Sequence, residues 1–186
     1  MAAALDEFAS RGYAATRLDD VAKRAGVAKG TIYLHFADKE TLFQEIVRAM
    51  VVPIVMNIEA PPPGDMPTRQ VFDHLARLFV SEVFGTRRRA IVRLMLTEGP
   101  RFPALAEFYY REVIERVLAG LRALVARAVA RGELRDDTLA RLPQLMVTPL
   151  IFSVVWNSLF ERFAPLDPAA LIKAQLDLVF GKETQP

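Results

Sequence analysis

Apolar residues in this chain recur every three or four positions in one segment after another, and no stretch alternates convincingly at every second position. That periodicity predicts helices and no sheet. Ala4, Leu5 and Phe8 open an amphipathic helix that also carries Asp6 and Glu7. Leu18, Val21, Ala22 and Ala25 define a second helix, stopped by Gly26, and Ile32 and Phe36 mark the inward side of a short third one over 28–36. Asp38 suits the cap of a fourth, running through Leu42, Phe43, Ile46 and Val47 toward Pro53, which should bend or end it. The proline-rich run Pro61-Pro62-Pro63-Gly64-Asp65-Met66-Pro67 reads as a loop. Beyond it the pattern predicts helices at about 68–85, 87–98 (broken by Gly99-Pro100), 103–131 (ended by Gly132), 137–163 (kinked at Pro143 and Pro149) and 168–180. The fold class is therefore all-α.

Residues 16–36 have the layout of a helix-turn-helix. Thr16 suits an N-cap, and Asp19 three residues later completes a short capping box. Gly26 accepts the positive φ of a sharp turn, and Val27 can plug the corner beneath it. Lys29, Thr31, Tyr33 and His35 fall largely on the faces of the third helix that Ile32 leaves outside. A polar, aromatic and basic face of this kind fits a DNA major groove.

Three motifs carry a family resemblance: Ala4-Leu5-x-x-Phe8-x-x-x-Gly12-Tyr13, Thr16-x-x-Asp19-x-Val21-Ala22-x-x-Ala25-Gly26-Val27, and Lys29-Gly30-Thr31-Ile32-Tyr33-x-His35-Phe36-x-x-Lys39-Glu40-x-Leu42. With this spacing, residues 5–47 resemble the DNA-binding domain of TetR/AcrR-type transcriptional regulators. The resemblance implies an N-terminal three-helix reader over 1–47 and a helical effector-binding and dimerisation domain over 48–186. It implies that Tyr33 and His35 touch phosphates and base edges, that Lys29 and Thr31 hydrogen-bond to DNA, and that Gly30 permits close backbone approach, with Leu34 on the same helix. Thr16, Arg17 and Lys39 are expected to clamp phosphates, Thr16 in addition to its cap. These regulators carry a basic arm before the first helix. Here Met1 falls inside the matching helix, so either an arm precedes this sequence or the helix-borne contacts do more of the work. Residues 93–109, Arg-Leu-Met-Leu-Thr-Glu-Gly-Pro-Arg-Phe-Pro-x-Leu-Ala-x-Phe-Tyr, resemble the effector domain of the AefR-like branch of the same family.

Composition narrows the rest. At 186 residues the chain can bury about 70% of its unfolded surface, and its 52% apolar content exceeds what a minimal core requires. A dimer face, a ligand cavity or both would absorb the excess. There is no cysteine, which removes disulfides and thiolate chemistry. The two histidines, His35 and His74, stand in no metal-ligand spacing, and no nucleophile motif is present, so no enzyme activity, cofactor or metal is expected. No apolar run is long enough for a membrane span, and the N-terminus does not read as a signal peptide, so a cytoplasmic location is expected. The net charge is only +2, and residues 1–48 hold seven basic against seven acidic side chains. Placement of charge, and not bulk basicity, must make any DNA reader.

In the effector domain His74, Met95, Phe108, Tyr109, Phe152, Trp156 and Asn157 are the expected ligand-lining residues, as polar or aromatic groups along lines that could converge on an apolar pocket. Arg93, Glu98 and Arg101 could form a buried ion-pair network, and Arg87-Arg88-Arg89 reads as a solvated corner, paired with Glu82 or facing the DNA-binding domain. The segments 139–163 and 171–180 are apolar on more than one face, which predicts a homodimer through the two C-terminal helices. The function expected is a repressor released from a palindromic double-stranded operator by a small apolar or amphipathic molecule. An architectural DNA binder without effector, or a small helical enzyme, are the alternatives.

Overall fold

The computed structural model describes residues 1–60, 65–135 and 137–181, and among them there is helix and no strand. The proline run at 61–64 and Asp136 lie outside the described residues. The helices are α1 (Ala2–Ala15), α2 (Leu18–Ala25), α3 (Lys29–His35), α4 (Lys39–Met50), α5 (Val52–Glu59), α6 (Thr68–Phe79), α7 (Arg89–Glu98), α8 (Pro103–Tyr109), α9 (Glu115–Ala130), α10 (Thr138–Arg141), α11 (Gln144–Phe160) and α12 (Pro168–Phe180). Two π-helical turns extend them: Val80–Phe84 continues α6, and Tyr110–Ile114 joins α8 to α9. The run expected as one helix over 103–131 is thus continuous but widened at one turn. No single helix among the described residues is long and apolar enough to cross a membrane.

The chain forms two compact units. The first is Met1–Pro53 with Arg87–Ile114; the second is Ile54–Thr86 with the chain from Glu115 onward.

The first unit is built on an apolar knot. Leu5 and Phe8 of α1, Leu42, Phe43, Ile46 and Val47 of α4, Ile91 of α7 and Leu105 of α8 are all buried. Phe8 stacks on Tyr13 at 5.6 Å and meets Phe43 edge-on at 5.9 Å, while Tyr13 meets Phe102 at 4.8 Å. α1 kinks at Gly12, whose φ of 77° is open to glycine alone at low cost. An added Cβ there would also stand 2.9 Å from Glu98 Oε1. Glu7 is buried, and it is matched by Arg24 at 2.6 Å and Arg11 at 2.8 Å. The arginine run before α7 binds within this unit: Arg87 pairs with Asp6 at 2.8 Å, and Arg88 Nε donates to the Met50 carbonyl at the end of α4 at 2.7 Å. The expected Arg93 network does not form as a buried one: Arg93 faces solvent, and among the described residues Glu98 pairs with Arg101 at 3.7 Å.

In the second unit Val71 and Phe72 of α6, Leu121, Leu124 and Val125 of α9, Met146 of α11, and Ile172 and Leu176 of α12 form one core cluster. α9 runs close against α5, since a Cβ on Gly120 would fall 2.8 Å from the Ile58 side chain. Arg116 grips Glu59 with two hydrogen bonds of 2.7 and 2.6 Å, which keeps that carboxyl below its usual range. α6 follows Pro67, which has no capping side chain, and Glu133 supplies the cap by accepting from Thr68 N at 2.7 Å. Pro149 sits inside α11 and has no N–H for the carbonyl of Leu145 four residues back; Gln175 Nε2 of α12 donates to that carbonyl instead.

Candidate nucleic-acid interface

α2 begins at Leu18 with Arg17 in the N-cap position, and no side chain caps it. The expected capping box is therefore replaced by another arrangement. Thr16 is 2% exposed, and its hydroxyl donates to the Gly12 carbonyl at 2.7 Å, locking the kink of α1. A buried side chain serving the core is not a phosphate clamp. The first turn of α2 draws its polar support from Asp19 and Asp20, whose carboxylates complement the helix dipole.

Gly26 ends α2 in the left-handed conformation, φ 69° and ψ 25°, and Val27 N closes the turn on the Ala22 carbonyl at 3.0 Å. Val27 is exposed and does not plug the corner; the docking of α3 rests on Ile32, its one buried residue. Lys29, Gly30, Thr31, Tyr33, Leu34 and His35 consequently all face solvent. Leu34 is 84% exposed, an extreme value for a leucine. A Cβ at Gly30 would meet nothing within 4 Å, so no internal packing demands glycine there.

One group missed by sequence reasoning organises this face. Asp19 accepts from Lys29 Nζ at 2.7 Å through one carboxylate oxygen and from the Tyr33 hydroxyl at 3.0 Å through the other. Lys29 also lies 5.7 Å from the centre of the Tyr33 ring. The Lys29 hydrogen bond holds the Asp19 carboxyl below its ordinary value, and Asp19 in turn raises the Lys29 ammonium. The motif spacing showed that Asp19 lies near a helix start; only the folding of α3 across α2 could show which donors it meets.

Lys39 has partners within the reader. Its ammonium donates to the carbonyls of Tyr13 at 2.8 Å and Ala14 at 2.7 Å, and it lies over the Tyr13 ring at 4.8 Å. It ties the start of α4 to the C-terminal end of α1, where orphan carbonyls and the dipole favour a cation. Burial, with Glu40 and Asp38 adding to it, pushes the Tyr13 phenol up to about 12. Asp38 caps α4 as expected, accepting from Thr41 N at 2.7 Å, and this bond holds its carboxyl low. Arg17 and His35 remain exposed on the same reader as α3.

The expected effector residues divide between the units. Met95, Phe108 and Tyr109 belong to the first: Met95 and Phe108 are half-buried, Phe108 under the Arg48 guanidinium at 5.1 Å, and burial pushes the Tyr109 phenol up to about 12. His74, Phe152, Trp156 and Asn157 belong to the second, and two of them hold the chain beyond α11 by hydrogen bonds. Asn157 spends both ends of its amide on Leu166, at 2.8 and 2.9 Å, and Trp156 Nε1 donates to the Ala164 carbonyl at 2.6 Å. Both fasten the turn between α11 and α12. His74 points to solvent, so it is no buried anchor. Phe152 is 46% exposed and heads an open row, Phe152–Trp156–Phe160, with ring separations of 5.6 and 5.0 Å, the first pair tilted and the second edge-on.

A small helical head with one anchored, outward-facing helix after a glycine turn defines a helix-turn-helix DNA-binding regulator. Two family models match the chain: "Bacterial regulatory proteins, tetR family" over residues 1–46, and "Tetracyclin repressor-like, C-terminal domain" over 62–177. The second spans more than half of the chain, and the chain belongs to the TetR family. Among relatives, the HTH-type transcriptional regulator AcrR of Shigella flexneri is 35% identical over 95 residues, covering 50% of this chain and 44% of that protein. The uncharacterized HTH-type regulator YerO of Bacillus subtilis is 32% identical over 183 residues, covering 94% of this chain and 61% of that one. The chain thus spans less than two thirds of either relative. Among solved structures, the fatty acid degradation regulator FadR from Bacillus halodurans superposes with a TM-score of 0.71 at 25% identity, covering 100% of this chain and 94% of that chain. The Bacillus subtilis regulator FadR in complex with stearoyl-CoA superposes at 0.74 and 23% identity, covering 98% and 97%.

Proposed function

We propose that this chain is a ligand-responsive repressor acting as a homodimer on a palindromic operator. The observation that carries the reading is α3, held by Ile32 alone and presenting Lys29, Gly30, Thr31, Tyr33, Leu34 and His35 outward. In this reading Lys29, Tyr33 and Arg17 meet phosphates, Thr31 and His35 reach base edges, and Gly30 lets the backbone approach the duplex. Thr16 and Lys39 support the reader from within. The functional division is set at residue 47, with the reader before it and the sensing and dimerisation region after it. That division is one of role, since the first compact unit also takes in Arg87–Ile114.

The partner copy is assigned to α11 and α12. α11 buries Met146, Pro149, Ser153 and Asn157 on one side and leaves Leu145, Phe152, Val155 and Leu159 exposed on the other. An apolar row of that length rimmed by solvent is a partner surface, and a two-fold pairing with its own copy covers it without a second protein. Two copies of α3 then meet successive major grooves. The effector assigned is a small apolar or amphipathic molecule, a class supported by the stearoyl-CoA complex of the Bacillus subtilis relative of the same fold. The AefR-like reading of residues 93–109 rests on the motif. A protein that acts on the operator works in the cytoplasm.

The test is recovery of genomic fragments by the full-length protein after a salt wash, followed by sequencing. Enrichment of one or a few palindromic sites, released when an amphipathic acyl compound is added, is the expected result. Uniform, salt-labile recovery would instead establish an architectural binder.

A further inference from the structure

The two donors on α3 that have a partner share it. Lys29 and Tyr33 both bond to Asp19, one to each carboxylate oxygen, at 2.7 and 3.0 Å. Two oxygens on one anionic group, taking an ammonium and a hydroxyl, reproduce what a DNA phosphate offers the same pair. Both donors are therefore satisfied and aimed before any duplex arrives. A phosphate approaching them meets a carboxylate already in place, and like charges repel at that range. The neighbouring Asp20 does not share this position: it pairs with Arg11 of α1 at 3.0 Å. The reader as a whole is also electrically balanced, with seven basic and seven acidic residues over 1–48, so it holds little general attraction for DNA.

Resting on the proposed DNA-reading role, we infer that Asp19 is a selectivity gate: it occupies the phosphate position in the free protein and yields Lys29 and Tyr33 only where the duplex supplies further contacts. On a random sequence the exchange of carboxylate for phosphate returns little. On the right sequence, contacts from Thr31 and His35 to base edges add to it. Asp19 thereby depresses binding to wrong DNA more than binding to the operator, which is how a repelling element makes specificity.

The experiment measures affinity for a short random-sequence duplex over a salt series, with wild type, Asp19→Asn and Asp20→Asn compared at equal folded fraction by thermal unfolding. Asp19→Asn is expected to bind the random duplex about two- to fivefold more tightly, the range of one exposed ion pair. It is also expected to steepen the dependence of log K on log salt by about 0.9, as one more cation becomes available to phosphate. A fragment selected from the genome gains less, so the ratio of specific to random binding narrows. Asp20→Asn leaves the salt slope and that ratio unchanged. Equal effects from the two variants overturn the gate in favour of general charge, and unchanged or weaker random binding by Asp19→Asn overturns it in favour of simple positioning. A wild type that binds no duplex even at low salt overturns the DNA-reading assignment itself, a result distinct from both.

Discussion

α3 and α11 both leave much of their surface uncovered, and they do so with opposite chemistry. α3 buries one side chain and exposes cationic, hydroxyl and imidazole groups; α11 buries a full stripe and exposes leucine, valine and aromatics. Exposed donors on a short helix cost the protein little in water and suit an anionic partner whose counterions are released on contact. Exposed apolar rows are costly in water and suit a partner of the same kind. The comparison teaches that what a helix withholds from the core, and not how much, separates a nucleic-acid surface from a protein one.

The strongest way to break that comparison is to charge α11. Phe152→Asp and Leu159→Asp change side chains that are 46% and 60% exposed, so the monomer should still fold. Sedimentation should show the dimer gone. Operator affinity should fall by about 100-fold or more, because one reader no longer benefits from the tethering of the other. Unchanged sedimentation would move the dimer interface elsewhere.

A second variant tests whether the α11–α12 turn is structural. Asn157→Leu strands the Leu166 backbone groups and should cost about 1–3 kcal/mol in denaturant unfolding, while ligand affinity per folded molecule stays constant. A specific loss of ligand response at unchanged stability would return Asn157 to the sensing site.

The third lies at the start of α4. Asp38→Ala removes a cap and should cost about 1 kcal/mol. The native carboxyl is held below its ordinary 3.8, so its contribution is present above that pH and lost as the pH falls through the lower folded value. Acid unfolding followed by circular dichroism should therefore be less pH-dependent in the variant in that window. An identical acid profile would remove the Thr41 bond from the account.

The smallest effect sharpens the contrast within the reader itself. Lys29→Ala should weaken binding to the operator by about fivefold at most and flatten the salt dependence there by up to about one unit, with a smaller effect on random sequence, where Asp19 holds the ammonium in the wild type. Lys39→Ala should lower the melting temperature and leave the salt slope nearly intact, since its ammonium serves the carbonyls of α1. Equal salt effects from the two lysines would restore Lys39 to the DNA contacts.

The helix-turn-helix was legible because its signals are local. Gly26 must turn and Ile32 must dock, and the helix ends lie within a residue or two of where the pattern put them. α4, α7 and α12 were legible for the same reason. The partners of individual polar groups were not. Thr16 had two uses for one hydroxyl, and the kink at Gly12 decided between them. Lys39 and Asp19 found their partners 23 to 26 and 10 to 14 residues away, distances over which periodicity says nothing. Arg87 does face the DNA-binding domain, one of the two readings of that corner, but its acceptor Asp6 and the Met50 carbonyl taken by Arg88 could not be picked out because they belong to helices read separately. The π turns at Val80–Phe84 and Tyr110–Ile114 left no trace in the apolar spacing.

Pro149 and Gln175 have a consequence for how this chain can change over time. The proline removes a donor from α11, and the glutamine of α12 returns one to the orphaned Leu145 carbonyl. Losing the glutamine first leaves that carbonyl without a protein donor; losing the proline first restores the helix's own bond and sets the glutamine free to drift. The two positions, far apart in sequence, are therefore expected to covary in one direction, with glutamine wandering only in lineages that have already exchanged the proline.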